Sequence, residues 1–304
     1  MPSHRRLRKL TKEERHGLVT GLLFISPWVL GFLAFRIVPF VMSLYYSFTF
    51  FPILESPKWI GLANFRNLFT DGRFVSSLYN TAYYAFFAVP LGAFFGILLA
   101  MLLNMKVKGM SIWRTIFYLP SITPVVATAL VWLWMFNPRG GIINYVISLV
   151  GLRGPGWLGD PVWAKPALIL MSLWGVGTAV VIYLAALQDV PRELVEASQL
   201  DGAHVLQQIR YITLPMISPV ILFNVITGLI GAFQFFTEVH VMTGGSGSPA
   251  DSTLMMSIYL WQSAFQFFKM GYASAQAWIM FVIVVVFTVI LFRVSGRVVY
   301  YGGR

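Results

Sequence analysis

The stretch Gln188 to Pro215, QDVPRELVEASQLDGAHVLQQIRYITLP, is the most polar segment after the N-terminus of a chain that is otherwise strongly apolar. Pro191 fits the first turn of a helix, where its missing N–H costs nothing. Glu193 and Glu196 are expected near the positive end of that helix's dipole. Gly202 supplies a stop, because glycine accepts the left-handed conformation in which helices end. Val205, Ile209 and Ile212, spaced i, i+4, i+7, mark one face of a second short helix whose continuation Pro215 limits. The expectation is a helix–turn–helix elbow between two apolar runs. From spacing alone, a force-bearing elbow and a simple tether both remain open.

The runs on either side define the fold class. Of 304 residues, 58% are hydrophobic and 11% charged, and the mean hydropathy is +0.74. A bilayer core offers no water to backbone groups, so spans there close their hydrogen bonds within helices. A crossing needs about 20 apolar residues. Six runs qualify, at about 18–48, 78–103, 113–136, 164–187, 217–243 and 275–299. The expected fold is an all-α polytopic membrane bundle of six transmembrane helices. The first run is overlong and carries Arg36 and Pro39, so it is expected to tilt or kink.

Residues 1–17 form a basic N-terminus, with Arg5, Arg6, Arg8, Lys9, Lys12 and Arg15. Together with Lys106, Lys108, Arg114, Arg192, Arg210, Arg293, Arg297 and Arg304, they outnumber the basic residues of the opposite loops two to one. The positive-inside rule then puts both termini in the cytoplasm. The same rule accounts for the net charge of +11 without invoking nucleic acid. A basic start before an apolar run is also the pattern of a signal peptide, but this run exceeds an h-region and no A-x-A-like site follows it, which favours an uncleaved first span. The outer loops at Asn137 to Pro161 and Gly244 to Pro249 read as tight interfacial connections. There is no cysteine, hence no disulfide and no thiolate metal site.

The polar stretch carries a more specific pattern. Glu196-Ala197-Ser198, Asp201-Gly202-Ala203, and then Ile212, Leu214 and Pro215 resemble the EAA loop of binding-protein-dependent ABC importer permeases, which runs E-A-A, two residues, D-G-A and later I-x-L-P. Ser198 replaces the usual third-position alanine and Ile209 a usual phenylalanine. The resemblance extends from Asn80 to about Tyr300. Within it, Trp113 to Pro120, Gln188 to Pro191, Thr243-Gly244-Gly245 and Tyr272 to Ala275 look like the carbohydrate-uptake branch, the maltose and glycerol-phosphate type. The first span with Pro27 and Pro39, and Ile60 to Phe65 after it, also look like that branch.

The resemblance implies a type I ABC importer permease fold, with a core at 76–299 and a cytoplasmic coupling loop at 188–215. It implies a bacterial or archaeal cytoplasmic membrane, a second homologous permease, two ATPase subunits, an extracytoplasmic solute-binding protein and a sugar as cargo. No cofactor is expected on this chain, since ATP and Mg belong to the ATPase partner. The elbow would seat in a groove of that ATPase. Glu196 and Asp201 would make polar contacts, Ala197, Ser198 and Ala203 would permit close approach, Gly202 would form the bend, and Leu214 and Pro215 would close the motif. Asp201 has a second reading, in which its carboxylate only ties down the turn by accepting from backbone N–H groups.

Ionisable residues within spans are costly and therefore candidates for function. Arg36, Glu238 and His240 qualify. Arg36, about one membrane thickness from residue 17, is expected to snorkel to the outer interface. A sugar pathway needs aromatic faces and a few polar groups in an apolar pocket. The fourth span offers Ser172, Trp174 and Thr178, and the fifth Phe233, Gln234 and Glu238. Helix packing would explain the same residues. No Gly-Lys pair for a phosphate loop, no H-E-x-x-H and no G-x-S-x-G is present, so the chain is not expected to hydrolyse ATP by itself. The competing reading is a secondary transporter or channel driven by an ion gradient, which would be expected to carry acids at the midplane.

Overall fold

The computed structural model describes residues 11–105, 107–296 and 299–300. Arg5, Arg6, Arg8, Lys9, Lys106, Arg297 and Arg304, which enter the orientation argument, lie outside the described residues. Four helical stretches are long and apolar enough to cross a membrane: Lys12–Ser47, Gly72–Leu103, Val205–Thr243 and Met270–Ser295. Two further pairs pass the same test only together, each bent at its middle. Six crossings therefore result when each bent pair counts as one.

The first stretch joins α1 (Lys12–Phe32) to α2 (Val38–Ser47) through a π-turn at Leu33–Ile37. Thr11 caps α1 by accepting from Glu14, whose carboxylate returns a bond to the Thr11 N–H. A two-stranded ribbon, β1 (Thr49–Phe50) and β2 (Lys58–Trp59), and α3 (Ala63–Thr70) lead to α4 (Gly72–Leu103). The Asp71 side chain caps α4 through the N–H groups of Arg73 and Phe74. The third crossing is α5 (Met110–Ile122) and α6 (Val125–Met135), bent by 99° at Thr123-Pro124. The fourth, reached through α7 (Ile142–Leu149), is α8 (Pro161–Trp174) and α9 (Gly177–Gln188), bent by 48°. These breaks depart from the continuous runs at 113–136 and 164–187. Pro124 has no N–H to give a helix, and Gly175 and Gly177 weaken its interior, so both bends fall where the backbone ladder is poorest.

The elbow follows as α10 (Arg192–Leu200) and α11 (Val205–Gln208). Pro215 does not end the second elbow helix, contrary to expectation. A π-turn at Ile209–Thr213 carries α11 directly into α12 (Leu214–Phe233), and the Leu214 N–H bonds the Ile209 carbonyl five residues back. The wider turn accommodates a proline at the second position of α12, where an α-helical N–H would otherwise be missing. Gln234 to Phe236 interrupt the helix before α13 (Thr237–Thr243), and α14 (Met256–Trp261) precedes α15 (Met270–Ser295).

Packing centres on α4, which touches α8, α9, α12 and α14. At the elbow end, Ala100, Leu103, Tyr183, Leu187 and Ile217 form a separate apolar cluster. Gly96 permits the approach of α9 there, since a methyl group at its position would lie 3.1 Å from the Tyr183 ring. At the far end the Tyr259 and Tyr272 hydroxyls both donate to Asp71, each at 2.5 Å. Burial alone would raise the Asp71 carboxyl, but these two bonds and the Arg73 and Phe74 amides outweigh it and hold it below 3.8. Burial and the Asp71 carboxylate push the Tyr259 phenol up to about 12.

Candidate functional site

The elbow is helical without having a core of its own. No residue of α10 is buried, and Leu200, Val205 and Leu206 are 91%, 69% and 79% exposed. A polar helix pair that leaves its leucines in water gains no stability from them. Its bend is set by the backbone. Gly202 has φ +78°, and nothing lies within 4 Å of the place a methyl group would take on it, so conformation and not crowding demands glycine. The Ala203 N–H returns to the Ser198 carbonyl at 2.9 Å and the Gly202 N–H to Gln199 at 3.0 Å, closing the helix end. The Ser198 hydroxyl donates within its own helix to Val195. The Asp201 carboxylate accepts no hydrogen bond among the described residues, so it does not tie down this turn.

Glu196 is the fifth residue of α10 and lies beyond the first turn, where Glu193 alone of the two sits. It lines a polar cavity of about 440 Å³ beneath the elbow, with Asn104, Gln188, Arg192, Gln199 and Thr213. Ala197 is exposed and Ala203 half-buried. Leu214 packs on the elbow-end cluster and begins α12, with Pro215 at the second position.

A second cavity, of about 370 Å³, opens in the bundle between α4, α8, α9 and α12. Ser172 and Glu238 line it together with Tyr84, Asn224, Phe235 and Tyr183. Tyr84 and Phe235 stack with ring centroids 4.3 Å apart and planes within 5°. The Ser172 hydroxyl donates to Ile169 and the Asn224 amide to Val220, so the side-chain oxygen of each can still accept. The buried Tyr183 hydroxyl has no partner among the described residues. Glu238, half-buried, joins no salt bridge among the described residues.

The structure thus brings together two of the six pathway residues drawn from the sequence. Trp174 ends α8 off the cavity wall, edge-on to Trp132 at 6.0 Å. Thr178 and Gln234 are exposed outside the cavity. Phe233 is 1% exposed and packs against Phe287. The break at Gln234 explains the shift, because past it the face that points inward passes to Phe235 and Glu238. Tyr84 and Asn224 escaped notice in the sequence. The signal for both was nearby small residues at helical spacing, Ala88 and Gly92 on α4 and Gly228 and Gly231 on α12, which leave space between helices.

Comparison with known proteins decides what kind of bundle this is. The family described as binding-protein-dependent transport system inner membrane component matches residues 92–300. The chain belongs to this family. It is a multi-pass inner-membrane permease of a binding-protein-dependent ABC importer, a transport subunit and not an enzyme, which sets aside the ion-gradient reading. It is 42% identical to the probable ABC transporter permease protein YesP of Bacillus subtilis, over 97% of this chain and 96% of that protein. It is 34% identical to the lactose transport system permease protein LacF of Rhizobium radiobacter, over 92% and 95%. Among solved structures it resembles a chain of the bacterial alginate ABC transporter in complex with an alginate pentasaccharide-bound periplasmic protein. That match has a TM-score of 0.82 and 25% identity, and it covers 97% of this chain and all of that one.

Proposed function

We propose that this permease carries a sugar through the cavity at Tyr84, Ser172 and Glu238, and that the elbow at 188–215 couples it to an ATPase. The observation that carries the coupling role is the exposed elbow, whose Leu200 and Leu206 have no cover among the described residues. A polar helix pair that exposes Leu200, Val205 and Leu206 fits a groove on a separate subunit. Glu196 and Asp201 would make its polar contacts, Ala197, Ser198 and Ala203 would allow close approach, and Gly202 would hold the bend. Both termini and the elbow would face the cytoplasm, in keeping with the bias of basic residues.

The sugar reading is supported by the names of the relatives, one a lactose permease and one structure an alginate transporter. The cavity agrees in character, with an aromatic pair beside hydroxyl, amide and carboxylate groups. The assembly would contain a second homologous permease, two ATPase subunits and an extracytoplasmic binding protein. The test is uptake of labelled oligosaccharide into vesicles holding the assembled complex. Uptake that needs ATP on the elbow side and the binding protein on the other supports the reading. Uptake driven by an ion gradient without ATP refutes it.

A further inference from the structure

Ile142, Tyr145, Val146 and Leu149 recur at i, i+3, i+4 and i+7 along α7, so they share one face of that helix. All four are exposed, between 47% and 67%. Val150 and Leu152, just past the helix end, are exposed as well. The opposite side of α7 is firmly held. Ile143 and Ile147 pack on the bundle core. The Asn144 amide donates to the Pro138 and Pro155 carbonyls at 3.1 Å each, and its oxygen accepts from the Trp157 indole at 2.6 Å. Gly154 allows this approach, since a methyl group there would collide with the Asn144 side chain. The apolar face is therefore fixed outward, where contact with water is costly.

α7 lies in the link between Met135, where α6 ends, and Pro161, where α8 begins. It thus sits where the third and fourth crossings emerge, at the end opposite the elbow. Trp134 in the last turn of α6 and Trp163 in the first turn of α8 are both exposed, and indoles at span ends mark the boundary of lipid and water. Phe136 to Gly159 contain no Asp or Glu, but they hold Arg139 before α7 and Arg153 after it. Both arginines are exposed, and neither side chain has a hydrogen bond or ion pair among the described residues. With Trp134, Ile142 and Tyr145 they line one surface cavity of about 680 Å³. An outward apolar face between two uncompensated cations fits an anionic lipid surface.

We propose that α7 is a lipid-binding helix, with Ile142, Tyr145, Val146 and Leu149 among the acyl chains of the leaflet away from the elbow, and Arg139 and Arg153 on the phosphates of anionic phospholipid. Long arginine stems let the guanidinium groups reach the headgroups while the helix face stays in the chains. Both crossings that α7 joins are bent at their middles, so a surface anchor fixes the ends that emerge beside it. This contact depends neither on the cargo nor on the role of the elbow.

The test uses the whole complex, its other subunits made free of cysteine, in phosphatidylcholine vesicles with a minor fraction of phosphatidylglycerol. Because this chain has no cysteine, Leu149→Cys, and separately Val146→Cys, places one fluorophore on the face. Quenching by brominated acyl chains and shelter from aqueous iodide are expected. Iodide quenching without lipid quenching overturns the proposal. So does shelter from both, which would mean that a protein, the second permease or the binding protein, covers α7. The headgroup contact is read by putting the bromines either on the phosphatidylglycerol alone or on an equal amount of phosphatidylcholine. Quenching about fivefold stronger by the anionic lipid is expected, falling to parity when Arg139→Gln and Arg153→Gln are combined. Equal quenching by the two lipids with both arginines present, or a preference that survives their loss, overturns the proposal.

Discussion

The Lys165 ammonium on α8 donates to the Asn80 side-chain oxygen on α4 at 2.9 Å, while the amide nitrogen of Asn80 donates to the carbonyls of Asp251 and Leu254 at 2.7 and 3.1 Å. One asparagine, 3% exposed, thus joins two spans and the loop before α14. The Tyr79 and Tyr83 rings lie 5.1 and 5.3 Å from the same ammonium and complete its surroundings.

Asn80→Leu removes all three bonds at once. It leaves a half-buried cation without its acceptor and two carbonyls unpaired, a loss of about 2–4 kcal/mol. The thermal midpoint of the purified complex is expected to fall, and Asn80→Leu with an unchanged midpoint would show that these bonds are replaced by water.

The cavity assignment separates residues that the sequence grouped together. Glu238→Gln keeps shape and removes charge, and it is expected to lower sugar uptake per complex by about tenfold, the worth of a charged hydrogen bond. Binding-protein stimulation of ATP hydrolysis should persist. Trp174→Ala, off the cavity, is expected to lower the yield of complex through the lost Trp132 contact, worth about 1 kcal/mol before any cavity cost, with uptake per complex unchanged. Reversal of the two patterns would move the pathway to the outer side of α8.

The Asp71 network sets a pH dependence whose sign follows from its two titrating groups. Asp71 is held below 3.8, so its contribution is complete above that pH and is lost as pH falls further. Tyr259 is raised from 10 to about 12, so its contribution is complete below pH 10 and is lost as pH rises toward 12. The network's own contribution to the thermal midpoint should be flat between these limits. Asp71→Asn should lower it on the plateau, with the gap to wild type closing in acid. A gap that does not vary with pH would contradict the network's role.

The bundle and the elbow were legible because both are written in local chemistry. Apolar run lengths located the crossings, and Pro191 and Gly202 marked where α10 begins and where its turn bends. What stayed hidden was set by departures from the regular helix. Pro215 reads as a stop on local rules, yet a π-turn five residues long absorbs it. Gln234 reads as a span residue, yet the helix breaks there and hands the cavity wall to Phe235 and Glu238. Periodicity assumes 3.6 residues per turn throughout, so a single π-turn or break misassigns every face beyond it.

The proposed coupling role of the elbow is tested most directly by ATP hydrolysis in the assembled complex with and without the loaded binding protein, comparing wild type with Gly202→Leu. A leucine at φ +78° is strained by about 1–2 kcal/mol, and because the elbow holds no core the strain is relieved by straightening the bend and not by unfolding the bundle. Gly202→Leu is expected to leave normal amounts of complex in the membrane and to abolish the stimulation by binding protein. Wild-type stimulation in Gly202→Leu would contradict it.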